Sequence, residues 1–224
     1  MLARVFMRKD FIMYVIGITG GVGSGKSEIL GYLREHYNCR ILLSDDAAKE
    51  LEKPGMPLYA PLVSLLSPMD EMRGVTLLDE NGEIRKAEMA ARIFADNSLL
   101  EKVNKLVHPA VNTYIMDEIA RERESGRYDY FVLESALLIE NGYREVADAI
   151  WYIYCDEKVR RQRLASSRGY SQEKITSIIE SQLSEEQFRA GSDFVIDNSG
   201  PLTGEGGSFA QVDQAVQSLT AKEH

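Results

Sequence analysis

Blocks of apolar residues with two different periods divide this chain. Tyr14–Thr19 (YVIGIT) is a β-branched and apolar run bounded immediately by glycines, the pattern of a buried strand. After the glycines the period lengthens: Ile29, Leu30 and Leu33 fall on one helical face between Ser27 and Tyr37. Arg40–Leu43 predicts a second short strand, and Ala47–Lys53 a helix that Pro54-Gly55 stops. Strand signals return at Tyr130–Leu133, Ala149–Tyr154 and Asp193–Ile196. Helical spacing fills the gaps at Glu157–Ser167, Ser171–Gln187 (opened by a Ser cap) and Ala210–Thr220. Strands that alternate with helices predict a parallel α/β sheet flanked by helices on both faces.

The middle of the chain breaks this alternation. Residues 56–127 show helical spacing at Leu58, Leu62, Leu65 and Leu66, then at Met89–Phe94 and Leu99–Arg123. Asn81-Gly82 predicts a turn, with a short hairpin between Val75–Leu78 and Glu83–Ile84. His108-Pro109 predicts a bend in the last helix. The expected organisation is a nucleotide-binding core over 13–55 and 128–224, with a lid near 157–171. A helical substrate-binding insert covers 56–127, and residues 1–12 are an extension.

Composition narrows the class. A net charge of −9 argues against a broad nucleic-acid-binding face, which needs clustered cations. No apolar run reaches the ~20 residues that cross a bilayer. The opening stretch has neither the apolar segment nor the cleavage site of a signal peptide. Cys39 and Cys155 lie far apart without metal-ligand spacing, so the expectation is a reduced, cytoplasmic protein whose cysteines serve packing.

The chemistry concentrates where the first strand meets the first helix. Gly20-Gly21-Val22-Gly23-Ser24-Gly25-Lys26-Ser27 matches G-x-x-x-x-G-K-S/T in full, between a strand and a helix. Such a loop turns successive N–H groups towards phosphate oxygens, aided by the helix N-terminus. Lys26 can reach the β- and γ-phosphates of a nucleotide, and the Ser27 hydroxyl can ligate Mg²⁺. Neither a guanine-reading N-K-x-D nor a D-x-x-G switch follows, which disfavours a regulatory GTPase and favours a kinase.

Phosphoryl transfer to a hydroxyl further needs a proton acceptor and cations. Asp45 follows a parallel strand, at the sheet edge where ligands of open α/β sheets bind. Capping the next helix is the alternative, which Ser44, Asp45 or Asp46 could each do. Glu134 closes the YFVL strand in a Walker-B-like place, or is simply a strand-end carboxylate. Arg160, Arg161, Arg163 and Arg168 crowd one segment, either as lid cations over phosphates or as a solvated basic face.

Taken in order, ITGGVGSGKS, SDDAAKELEKPG, LVHPAV, ALLIENG, RRQRLASSRG and SDFVIDNSG closely resemble the dephospho-CoA kinase family from about Val15 to Gly200. The resemblance implies transfer of the ATP γ-phosphate to the ribose 3′-hydroxyl of dephospho-CoA. It implies Asp45 as base, Lys26 and Ser27 on the phosphates and Mg²⁺, Thr19 beside the active centre and Arg163 and Arg168 in the lid. It also implies Asn198 near the adenine and the helical block around His108 as the CoA-binding part, although His108-Pro109 can equally be a helix bend. The chain departs from the pattern at Leu43, where the family often has Asp, and at Arg85-Lys86, where it often has Asp-Arg. The runner-up is another P-loop small-molecule or nucleoside monophosphate kinase, and beyond it a nucleotide-binding regulatory module.

Overall fold

The computed structural model describes residues 12–221, so most of the expected extension lies outside the described residues. Among the described residues, five strands form one sheet: β1 (Tyr14–Thr19), β2 (Cys39–Leu43), β3 (Tyr130–Glu134), β4 (Ala149–Tyr154) and β5 (Phe194–Asp197), in the order β2-β3-β1-β4-β5. β1 sits at the centre, parallel to β3 with Ile16 opposite Val132, and parallel to β4 with Ile18 opposite Trp151. The apolar runs of β1, β3 and β4 are buried along most of their length, as strands covered on both faces are, whereas the edge strands β2 and β5 are largely half-buried. Ile16, Ile18, Phe131 and Trp151 are fully excluded from solvent, each side chain contributing ~1.5–3 kcal/mol.

The helices are α1 (Lys26–His36), α2 (Ser44–Leu51), α3 (Tyr59–Leu66), α4 (Asp70–Arg73), α5 (Lys86–Ala95), α6 (Asn97–Ser125), α7 (Glu157–Arg168), α8 (Gln172–Glu180), α9 (Glu185–Ala190) and α10 (Ser208–Thr220). Two compact units result. Leu43–Arg121 forms one; the chain through Leu42 and from Glu122 onward forms the other and holds the sheet. The helical unit therefore includes α2, and with it Asp45.

Two local expectations change. The single helix expected over 171–187 is two, because Ser184 and Gln187 form a capping box: the Gln187 N–H donates to Ser184 Oγ at 3.2 Å, and the Ser184 N–H to Gln187 Oε1 at 2.9 Å. Reciprocal capping satisfies donors that a continuing helix would satisfy internally, and here it starts a new helix. The expected Ser171 cap does open α8, accepting from the Lys174 N–H at 3.3 Å. Secondly, α6 continues through Pro109 as one 29-residue helix, so His108-Pro109 does not end it. The Asn81-Gly82 turn closes a minimal hairpin whose strands reduce to one antiparallel bridge, Leu78 to Ile84. Among the described residues, no helix is long and apolar enough to cross a membrane.

Candidate active site

β1 delivers the chain into the glycine-rich loop, and α1 leads it away. Within the turn the Ser24 N–H donates to the Gly21 carbonyl at 3.1 Å, curling the backbone. Gly25, immediately before α1, has φ 83°, a left-handed conformation that side chains disfavour. A Cβ on Gly25 would also stand 2.3 Å from Asn198 Nδ2, so glycine is required there twice over.

Lys26 lies over this curl. Its Nζ donates to the Gly20 carbonyl at 2.8 Å and faces Glu134 Oε1 at 3.5 Å. Both side chains are largely sheltered, at 17% and 15% exposure, so their attraction is screened less than a surface pair would be. β3, the neighbour of β1, carries Glu134 to this place: Glu134 is in register with Ile18, one residue before Thr19. Ser27 is exposed, and its Oγ donates to Glu28 Oε2 at 3.0 Å. Thr19 is fully buried, and its Oγ1 has no hydrogen-bond partner among the described residues.

The back of the loop is held from β5 and α10. Asn198 is completely buried, and its Nδ2 donates to the Ser24 carbonyl at 2.8 Å. Its Oδ1 accepts from Ser208 Oγ at 2.8 Å, and its backbone N–H donates to the Tyr154 carbonyl at 2.8 Å. The side-chain amide expected beside an adenine thus spends these bonds on the phosphate loop and α10. Ser208 had no motif to reveal it.

Helix α7 carries the expected lid arginines, in different surroundings. Arg163 turns towards the loop, donating to the Asn198 carbonyl at 3.0 Å and the Ser24 carbonyl at 3.4 Å. Beside it Cys155 is buried, and burial raises its thiol pKa while the Arg163 guanidinium pulls the other way. Arg168, at the far end of α7, is exposed and lies over the Tyr170 ring at 6.0 Å. Arg161 pairs with Glu157 within the same helix at 2.7 Å and donates to Thr176 Oγ1 of α8 at 2.9 Å, so it ties α7 to α8.

Asp45 and His108 belong to the other unit. Asp45 is exposed in the first turn of α2, where no side chain caps the helix and Leu43 precedes it in an extended conformation. The capping alternative for Ser44, Asp45 or Asp46 is therefore not what the structure uses. Asp46 instead pairs with Lys49 at 2.7 Å. His108 is half-buried on α6.

A parallel sheet whose central strand runs into a glycine-rich Walker-type loop and then a helix is the fold of a P-loop kinase. A model of the dephospho-CoA kinase family matches residues 14–203, and the chain belongs to that family. A dephospho-CoA kinase of Corynebacterium diphtheriae is 33% identical over 188 residues, spanning 84% of this chain and 90% of that protein. Among solved structures, a protein of Thermus thermophilus is similar at a TM-score of 0.72 and 25% identity, covering 92% of this chain and 97% of its own. A dephospho-CoA kinase from Campylobacter jejuni has a TM-score of 0.69 at 15% identity, covering 95% and 100% respectively, a likeness of fold alone.

Proposed function

We propose that this chain transfers the γ-phosphoryl group of ATP to the ribose 3′-hydroxyl of dephospho-CoA, giving CoA and ADP. The observation that carries this reading is the Lys26 ammonium, held between the Gly20 carbonyl and Glu134 at the mouth of a full phosphate-binding loop, in a chain of this family. Gly21, Val22, Gly23, Ser24 and Gly25 supply the backbone that cradles the phosphates. Lys26 exchanges its carbonyl contact for phosphate oxygens when nucleotide arrives. The exposed Ser27 hydroxyl and the sheltered Glu134 carboxylate are hard oxygen donors that suit Mg²⁺, which when bound neutralises charge on the β- and γ-phosphates.

The acceptor 3′-oxygen attacks the γ-phosphorus, the bond from that phosphorus to the β–γ bridging oxygen breaks, and ADP leaves. Asp45 takes the hydroxyl proton. Its carboxylate is exposed in the first turn of α2, where a substrate hydroxyl can reach it. Arg168, at the open end of α7, supplies a cation to the moving phosphoryl group, and Arg163 steadies the loop that carries the nucleotide. Thr19 and His108 contribute to binding the acceptor, Asn198 to holding the nucleotide site. Two free cysteines, Cys39 and Cys155, suit the reducing cytoplasm as the compartment.

An ADP-release assay with Mg²⁺, ATP and dephospho-CoA, followed by mass spectrometry of the product, tests the reading. One added phosphate, located on the ribose 3′ position, is the expected result. Transfer to a different hydroxyl acceptor with none to dephospho-CoA would keep the phosphate loop and overturn the substrate.

A further inference from the structure

One contact to the phosphate loop has no part in the transfer chemistry above. Gln182 sits in the connector between α8 and α9, and its Oε1 accepts the Val22 N–H at 3.2 Å. The same oxygen accepts from Arg160 NH2 at 2.9 Å. Arg160 Nε in turn donates to the Val22 carbonyl at 3.1 Å. Both polar groups of Val22 are therefore gripped by two side chains that also grip each other. The ring closes only because residue 21 is glycine: a Cβ there would stand 2.4 Å from Arg160 NH2.

We propose that Arg160 and Gln182 are positioning residues that set the orientation of the Val22 backbone, and through it the cradle that receives the ATP phosphates. The proposal rests on the reading that this loop holds ATP. Charge-assisted bonds from a guanidinium are stronger than neutral ones, and the planar fork fixes direction as well as distance. A rotated Val22 peptide would re-aim the neighbouring N–H groups, and displacements of about 1 Å near transferring groups cost up to ~100-fold in rate. Only an oxygen acceptor is used at position 182, because both bonds end on Oε1.

That last point supplies a test with a built-in rescue. Gln182→Leu removes the acceptor at similar volume, whereas Gln182→Glu keeps an oxygen for both donors. For Gln182→Leu we expect kcat/KM for ATP to fall ~10–100-fold, with KM for dephospho-CoA within about twofold of the parent. Gln182→Glu should recover most of the loss, and Arg160→Met combined with Gln182→Leu should be scarcely worse than either alone. Melting temperatures check that each variant folds; if Gln182→Leu does not, Arg160→Lys, which keeps charge and loses the fork, carries the comparison. Equal losses for both substrates, no rescue by Glu, or additive single effects would overturn the positioning role. Titration with Mg²⁺ and ATP alone, without acceptor, separates the two readings. ATP bound by the parent protein, and bound more weakly by Gln182→Leu, upholds the latch even if dephospho-CoA is not the substrate. ATP binding unaffected by the substitution overturns the latch and leaves the kinase reading standing, and no binding by the parent overturns both.

Discussion

The unit that carries the phosphate loop and the unit spanning Leu43–Arg121 differ in the polar side chains that they exclude completely from solvent. In the first, the fully buried groups behind the loop are neutral, Asn198 and Ser208 tying the Ser24 carbonyl to α10, while the half-buried Arg160 and Arg163 hold the carbonyls of Val22 and Ser24. In the second, a cation does the framing. Arg92 is 0% exposed, and it donates to the carbonyls of Leu66 at 2.8 Å and Val75 at 2.7 Å and to Asp70 Oδ1 at 2.5 Å. The groups proposed for chemistry differ likewise. Lys26 and Glu134 are sheltered and engaged, whereas Asp45 is exposed on a helix. A loop that receives anions can bury neutral donors completely behind it and keep its guanidiniums half-exposed, where holding a charge costs less. A unit without a sheet can use a buried guanidinium, whose several donors satisfy scattered carbonyls at once.

Four substitutions would break or sharpen that contrast. Asp45→Asn should cause the largest change: kcat down ~10²–10⁴-fold, the range of a positioned base, with ATP affinity little altered. Near-parental turnover would remove Asp45 from the base role. Arg92→Met should lower unfolding free energy by ~2–3 kcal/mol in urea, since carbonyls and a partly exposed Asp70 lose their donor. Its ATP affinity should hold, and a matching loss of nucleotide binding would show that the two units do not keep their roles apart. Asn198→Ala should cost ~1–3 kcal/mol and weaken ATP binding as well, because the Ser24 carbonyl loses its buried donor. Stability lost with ATP binding intact would make Asn198 a framework residue only.

The smallest effect is confined to alkaline pH. Tyr143 is 4% exposed, and burial pushes its hydroxyl pKa up to about 12. A folded-state pKa above the ordinary value of about 10 stabilises the fold below that value and loses the contribution as pH rises between the two. Urea melts at pH 9 and 11 should therefore show a smaller loss for Tyr143→Phe than for the parent. Identical pH dependence would mean that the hydroxyl titrates normally.

The architecture was legible because its causes are local. β1 and β4 occur over the residues their apolar runs predict, Tyr14–Thr19 and Ala149–Tyr154, since a buried parallel strand needs little but a run of β-branched and aromatic residues between turn signals. The phosphate loop could be read whole, because a glycine curl followed by Lys26 and Ser27 carries its reason in its own backbone. The break between α8 and α9 was not legible, for the apolar spacing at Ile175, Ile178 and Ile179 continues into Leu183 and only the Ser184–Gln187 capping box marks the stop. With the break went Gln182, which a continuous helix would have left as one more polar surface residue.

By itself, then, the sequence determined the sheet, the loop and the family, all of which rest on contiguous residues whose spacing states their conformation. Tertiary structure alone decided what holds the loop in place. Gln182 lies 160 residues from Val22, and Asn198 lies 174 from Ser24. Contacts over such separations depend on how strands and helices stack in three dimensions. A local pattern of hydrophobic and polar residues carries no record of which distant amide or guanidinium will arrive behind a given carbonyl.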